Sequence, residues 1–122
     1  MLRSLALAAA SAALLAAGAT AAGAQPSAHI ARTCDVSSTP KYPGQGYFTS
    51  LQVAHVTCAT GKKVMLAHYR CRIKHGRKGH CSSVLHYRCS EVRRWISTEF
   101  TSRTTCKRGS RRVVFTYQQN LD

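Results

Sequence analysis

Six cysteines, Cys34, Cys58, Cys71, Cys81, Cys89 and Cys106, constrain this chain more than any other feature. An even count in a short chain reads as three disulfides where the chain is exported to an oxidising compartment. Met1-Leu2-Arg3 is a short basic n-region. Ser4 to Thr20 is nearly all Ala and Leu without a charge, and Ala22-Gly23-Ala24 forms an A-x-A cleavage site. A membrane anchor is the competing reading, since about 20 apolar residues span a bilayer. Against it, Ala is weakly apolar, Ser11, Gly18 and Thr20 dilute the run, and no basic stop-transfer cluster follows. No cysteine sits at the cut, which disfavours a lipid anchor. The expectation is a signal peptide over 1–24, cleavage near Ala24, and secretion to the extracellular space or periplasm.

Cleavage would leave Gln25 to Asp122, one domain of 98 residues. Of the 18 Lys and Arg only Arg3 is lost, so the mature net charge is +13 with His neutral. A domain this small is marginal on its core alone, and self-repulsion weakens it further. Three disulfides, each contributing about 3 kcal/mol on the chain-entropy view, would offset both. Six cysteines allow fifteen pairings; pairing neighbours in sequence (Cys34–Cys58, Cys71–Cys81, Cys89–Cys106) is favoured here, the middle pair most, because its loop is short and rich in turn formers. Zinc is disfavoured: the chain has no C-x-x-C and the compartment is oxidising.

Residues 25–45 carry Pro26, Pro40 and Pro43 and read as an irregular arm tied down at Cys34, with a turn at Tyr42-Pro43-Gly44. The domain proper is 46–122. Tyr47–Cys58 reads as a strand with a bulge near His55. Ala59–Arg70 is the one predicted helix, N-capped by Thr60, with Val64, Ala67, His68 and Cys71 as its inward stripe. Arg72–His80 is a basic loop bracketed by Cys71 and Cys81. Cys81–Cys89 alternates as a strand, with Leu85, Tyr87 and Cys89 on one face. Thr98–Cys106 and Arg111–Gln118 should form an antiparallel hairpin across the turn Lys107-Arg108-Gly109-Ser110. The sum is an α+β domain, one helix on a small disulfide-stapled antiparallel sheet of about four strands.

Function is bounded by charge. The candidate polyanion site comprises Arg70, Arg72, Lys74, Arg77, Lys78, Arg88, Arg93, Arg94, Lys107, Arg108, Arg111 and Arg112, because guanidinium and ammonium groups take phosphates and sulfates through charge-assisted bonds. A generally cationic soluble surface is the plainer reading of the same residues. Tyr69, Tyr87, Trp95 and Tyr117 interleave with the cations and could stack on bases or fill the core. His75 and His80, beside Lys74 and Lys78, are the only residues that could do ribonuclease-like acid–base work, and both are expected on a loop with no second residue to orient either ring. As a metal cluster, His75, His80 and His86 lack helical spacing and carboxylates. Glu91 and Glu99 are the only acids between Cys58 and Cys106, too few for paired-acid hydrolysis or calcium. G-x-S-x-G, a Gly-rich phosphate loop and an unpaired thiol are all lacking. No cofactor is expected.

The run Gly46-Tyr47-Phe48, Val53, Val56-Thr57-Cys58-Ala59-Thr60-Gly61-Lys62-Lys63-Val64, then Tyr87-Arg88-Cys89, Thr105-Cys106-Lys107-Arg108-Gly109 and Val113-Val114-Phe115 resembles small exported cysteine-containing proteins of actinobacteria. The resemblance spans about Cys34 to Tyr117, implies no activity and assigns no residue a role. Three functions are therefore expected, in this order: a non-enzymatic, monomeric binding module for anionic polymers or surfaces (cell-wall polyanion, lipid headgroup or nucleic acid), an inhibitor or toxin-like protein acting on a protein target through the Cys71–Cys81 loop, and a small phosphodiesterase.

Overall fold

The computed structural model describes residues 31–37, 39 and 46–122. The expected signal peptide, most of the arm and the Tyr42-Pro43-Gly44 turn lie outside the described residues.

Among the described residues six strands form one antiparallel sheet curled into a half-barrel, with a single helix and three disulfides. In chain order they are β1 (Arg32–Cys34), β2 (Gly46–Ala54), α1 (Cys58–Ile73), β3 (Ser83–Val84), β4 (Tyr87–Ile96), β5 (Glu99–Arg108) and β6 (Arg111–Asn120). The sheet order is β1-β2-β6-β5-β4-β3. The expectation of one helix on about four strands is thus corrected: the described residues are mostly sheet. Two strands were too short to carry a period. β1, inside the stretch read as an irregular arm, gains its place by pairing Cys34 opposite Leu51. The other, β3, is a stub of two residues.

Bulges and turns hid the rest. Phe48 pairs with Tyr117 and Ser50 with Thr116, so Thr49 is the extra residue of a bulge. That shift puts Phe48 on the same inner face as Leu51 and Val53. The bulge is therefore at Thr49 and not near His55, and the strand ends at Ala54. Within the expected strand 81–89, Leu85 and His86 both have positive φ, 47° and 64°. They form a two-residue hairpin of the kind that prefers Asn-Gly, and Val84 opposite Tyr87 packs inward while Leu85 is 54 % exposed. The left-handed region costs an ordinary side chain about 1–2 kcal/mol. The double change L85N/H86G is expected to raise stability by about 1–2 kcal/mol in urea unfolding; a loss instead would show that these side chains make contacts worth more than the strain. The predicted β5–β6 hairpin is present, turning on Gly109 (φ 57°) and Ser110. Glycine at the first central position is what such a two-residue turn requires.

The cap of α1 lies three residues earlier than expected, at Thr57, whose Oγ1 accepts from the Thr60 amide at 3.1 Å, and the helix begins at Cys58. It also continues through Ile73, with no breaker before Gly76. Its buried stripe is Gly61, Val64, Met65, His68, Tyr69 and Arg72, so Ala67 and Cys71 sit at the edge of the stripe rather than at its centre. A Cβ on Gly61 would lie 2.4 Å from Val53 Cγ1, so only glycine lets α1 lie this close to β2. The core joins these residues to Leu51, Val53, Phe100, Val113, Phe115 and Tyr117 from the inner sheet face. Phe48 meets Phe115 edge-on at 5.8 Å, as does Phe100 with Tyr117.

Cys34–Cys58, Cys71–Cys81 and Cys89–Cys106 are the disulfides, and they are the pairs favoured from sequence. Three such bridges in so small a protein are consistent with an oxidising compartment.

Candidate polyanion interface

Strand alternation divides the basic residues between two surfaces and the interior. Arg70 lies exposed on the last turns of α1, and Lys74, Arg77 and Lys78 on the loop beyond it. Arg88 and Arg94 of β4 and Lys107 and Arg112 of β5 and β6 point to the outer sheet face, away from α1; Arg108 and Arg111 end the β5–β6 hairpin. Arg72 and Arg93 are corrections to the expected site, because both side chains are buried.

Arg72 is 0 % exposed. Its Nη1 donates to the Arg77 carbonyl at 2.7 Å and Nη2 to Gln119 Oε1 at 2.8 Å. The guanidinium lies over the rings of Tyr117 (4.5 Å), Tyr69 (5.2 Å) and Phe100 (5.9 Å). No carboxylate pairs with it among the described residues. Burial accordingly lowers its pKa, while the aromatic faces favour the cation. Arg93, with a side chain 5 % exposed, pairs with Glu91 at 2.7 Å and stacks on Phe100 at 4.4 Å. It also donates to the Lys78 carbonyl at 2.8 Å and to the Gly79 carbonyl. The expected basic loop is thereby fastened along β4.

Glu91 is the centre of this network. Its carboxylate, 7 % exposed, accepts from Tyr117 Oη (2.6 Å), Ser102 Oγ (2.7 Å), Arg93 Nη2 (2.7 Å) and His80 Nδ1 (2.8 Å). Burial alone would raise its pKa, but the hydrogen bonds from Tyr117, Arg93 and Ser102 outweigh that and hold it at about 2. The Tyr117 hydroxyl moves the other way, to about 12, through burial and its bond to Glu91. His68, packed edge-on against Phe115 at 5.3 Å, is pushed down to about 4 by burial. Neither of its ring nitrogens makes a hydrogen bond of good geometry, although the Cys81 backbone lies near enough to favour the charged form.

The sequence therefore undervalued Glu91. One signal was available: it shares the parity of Tyr87 and Cys89, the inward face of β4. His80 does have an orienting partner, contrary to the sequence reading, but the partner lies across the fold on β4. His75 is exposed on the loop. Of the aromatics, Tyr69, Tyr87 and Tyr117 are core; Trp95 is half-exposed, stacked at 4.6 Å on Phe100 with Lys78 and Arg93 over its ring.

On the outer face the register sets Arg88 opposite Lys107, and Lys107 opposite Arg112. Three cations thus stand side by side on three adjacent strands, which are about 4.8 Å apart in any sheet. Like charges directly opposite one another are destabilising, and no ion pair neutralises these three among the described residues. The one acid on this face, Glu99, lies at the far end of β5, bonded to Gln118. A cavity of about 540 Å³ runs between Arg88, Ser90, Thr105, Lys107 and Arg112. Arg103, absent from the expected site, shares the outer face, four residues from Lys107 on β5; their common parity was the signal for it. Arg103 and Arg94 flank a further cavity with Val92 and Thr101. His80 lines neither cavity.

Among the described residues no group of three or more His, Cys, Asp or Glu could hold a metal ion. Comparison of the chain with protein-family models, curated proteins and solved structures finds no match.

Proposed function

We propose that the domain is a secreted, non-enzymatic binding module for anionic polymers or surfaces, and that it engages them with the outer face of its sheet. The observation that carries this reading is the unneutralised row Arg88–Lys107–Arg112. The sheet holds these side chains in register at a cost in repulsion, and an arriving polyanion relieves that repulsion while releasing its own counterions. The cations on α1 and the following loop belong to a different surface and are secondary.

The test separates face from net charge. The oxidised protein is expected to be retained on heparin or phosphocellulose at about 0.15 M salt, with affinity falling steeply as salt rises. The triple change R88Q/K107Q/R112Q should lower the salt needed for elution and flatten the slope of log K against log salt by roughly three contacts. R70Q/K74Q/R77Q removes as much charge and should change the slope less. Flow-through of the wild type would overturn the reading, and equal shifts in the two triples would overturn the assignment to the outer face.

A further inference from the structure

Beside the cation row lies a smaller site of different chemistry. We infer that the cavity bounded by Gln52, His55, Arg103, Ser110, Arg112 and Val114 binds one sugar unit carrying a phosphate or sulfate ester. The inference rests on the polyanion reading and adds to it the identity of the unit recognised.

The cavity holds about 450 Å³, larger than a bare oxyanion needs and within the range of small-ligand sites. It spans three strands: Gln52 on β2, Arg112 and Val114 on β6, and Arg103 on β5. Arg103 and Arg112 supply two planar forks suited to a tetrahedral oxyanion. Gln52, Ser110 and His55 add an amide, a hydroxyl and an imidazole, which can donate to or accept from ring hydroxyls. Val114 is the unusual member. The register puts it on the outer face, opposite Gln52 and Thr105, yet it is buried to 8 % exposure. Its neighbours therefore wall in an apolar floor, against which the C–H face of a sugar can lie. No Phe, Tyr or Trp lines the cavity, so a nucleobase would find only the small His55 ring and the arginine planes to stack on. Charge, hydroxyl partners and an apolar floor together favour an esterified sugar over a nucleotide or a free ion.

The experiment is a titration of the oxidised protein, followed by backbone amide NMR, with glucose 6-phosphate, glucose 6-sulfate, glucose, inorganic phosphate and adenosine monophosphate. Each sugar ester is expected to bind at least about tenfold more tightly than glucose or phosphate, shifting Gln52, Arg103 and Val114. R103Q should weaken that binding by about tenfold or more, the loss expected for a charge-assisted contact, whereas the salt slope of heparin binding, shared among the outer-face cations, should fall by no more than about one contact. A heparin tetrasaccharide that shifts the same amides would identify the unit as part of a polymer; one that shifts only the amides around Arg88 and Lys107 would identify a free sugar ester as the ligand. The inference is overturned if phosphate alone binds as tightly, if adenosine monophosphate binds more tightly, or if R103Q changes nothing. Should the cavity fail while heparin retention stands, the polyanion reading survives. Should retention fail as well, both fall.

Discussion

Replacing Glu91 with Ala is expected to cost about 3–5 kcal/mol, the usual penalty for stripping one partner from a buried ion pair. That is a large share of the 5–15 kcal/mol typical of a whole domain. The reason is what the carboxylate leaves behind: Arg93 loses its only counter-ion among the described residues, and the Tyr117 and Ser102 hydroxyls lose their acceptor. E91Q keeps the shape but removes the charge, so most of the loss should remain. Trp95 is the single tryptophan and packs beside this network, so its fluorescence in urea reports the unfolding directly. A variant within about 1 kcal/mol of the wild type would show that the network is not a stabilising centre.

Acid tests the same residue without mutation. The folded pKa of Glu91 is depressed from 4.5 to about 2. Its contribution is present above pH 4.5 and disappears as pH falls toward 2, roughly 3 kcal/mol in all. His68 acts in the same direction through a different mechanism. Burial depresses it from 6.5 to about 4, so on acidification the unfolded chain takes up a proton in that window that the folded protein refuses, again at roughly 3 kcal/mol. Stability should therefore begin to fall near pH 6.5 and go on falling to about 2. H68F should flatten the upper part of that curve and E91A the lower part. Stability that is level between pH 6.5 and 4 would contradict the role given to His68.

Reduction is expected to have the largest effect of all. The three bridges span separations of 24, 10 and 17 residues and together contribute on the order of 9 kcal/mol on the chain-entropy view. Dithiothreitol should unfold the protein at 37 °C, seen as collapse of amide dispersion and of the near-ultraviolet dichroism. Low salt should aggravate it, because crowded cations repel most strongly when unscreened. Of the paired Cys→Ala variants, C34A/C58A should lose the most, since that bridge closes the longest loop and holds the three-residue β1. A reduced protein that keeps native dispersion would mean that the core and the Glu91 network suffice without the staples.

Much of this protein was legible where chemistry is local. Pairing of neighbouring cysteines was favoured among fifteen open possibilities, with a short loop rich in turn formers arguing for Cys71–Cys81 alone, and the β5–β6 hairpin followed from alternation on both sides of Gly109. The helix was found, though its limits were not: Arg72 reads as a loop cation next to Lys74, and nothing nearby in sequence announces the cage of Tyr69, Phe100 and Tyr117 that buries it. Thr49 reads as one more strand residue, yet as a bulge it reverses the parity of everything before it. Leu85 and His86 read as strand and form a turn, because the left-handed conformation they adopt is one such side chains seldom choose unaided.

By itself, then, the sequence determined a small, very basic, cysteine-paired domain, because charge and disulfide closure are properties of composition and spacing. Tertiary structure alone decided which cations face outward. Arg88 and Arg93 belong to one basic run, but strand alternation sends the first into a row with Lys107 and Arg112 and the second inward to Glu91. Register between strands distant in sequence sets that difference, and with it the contrast between a charge that can meet a ligand and one that holds the fold together.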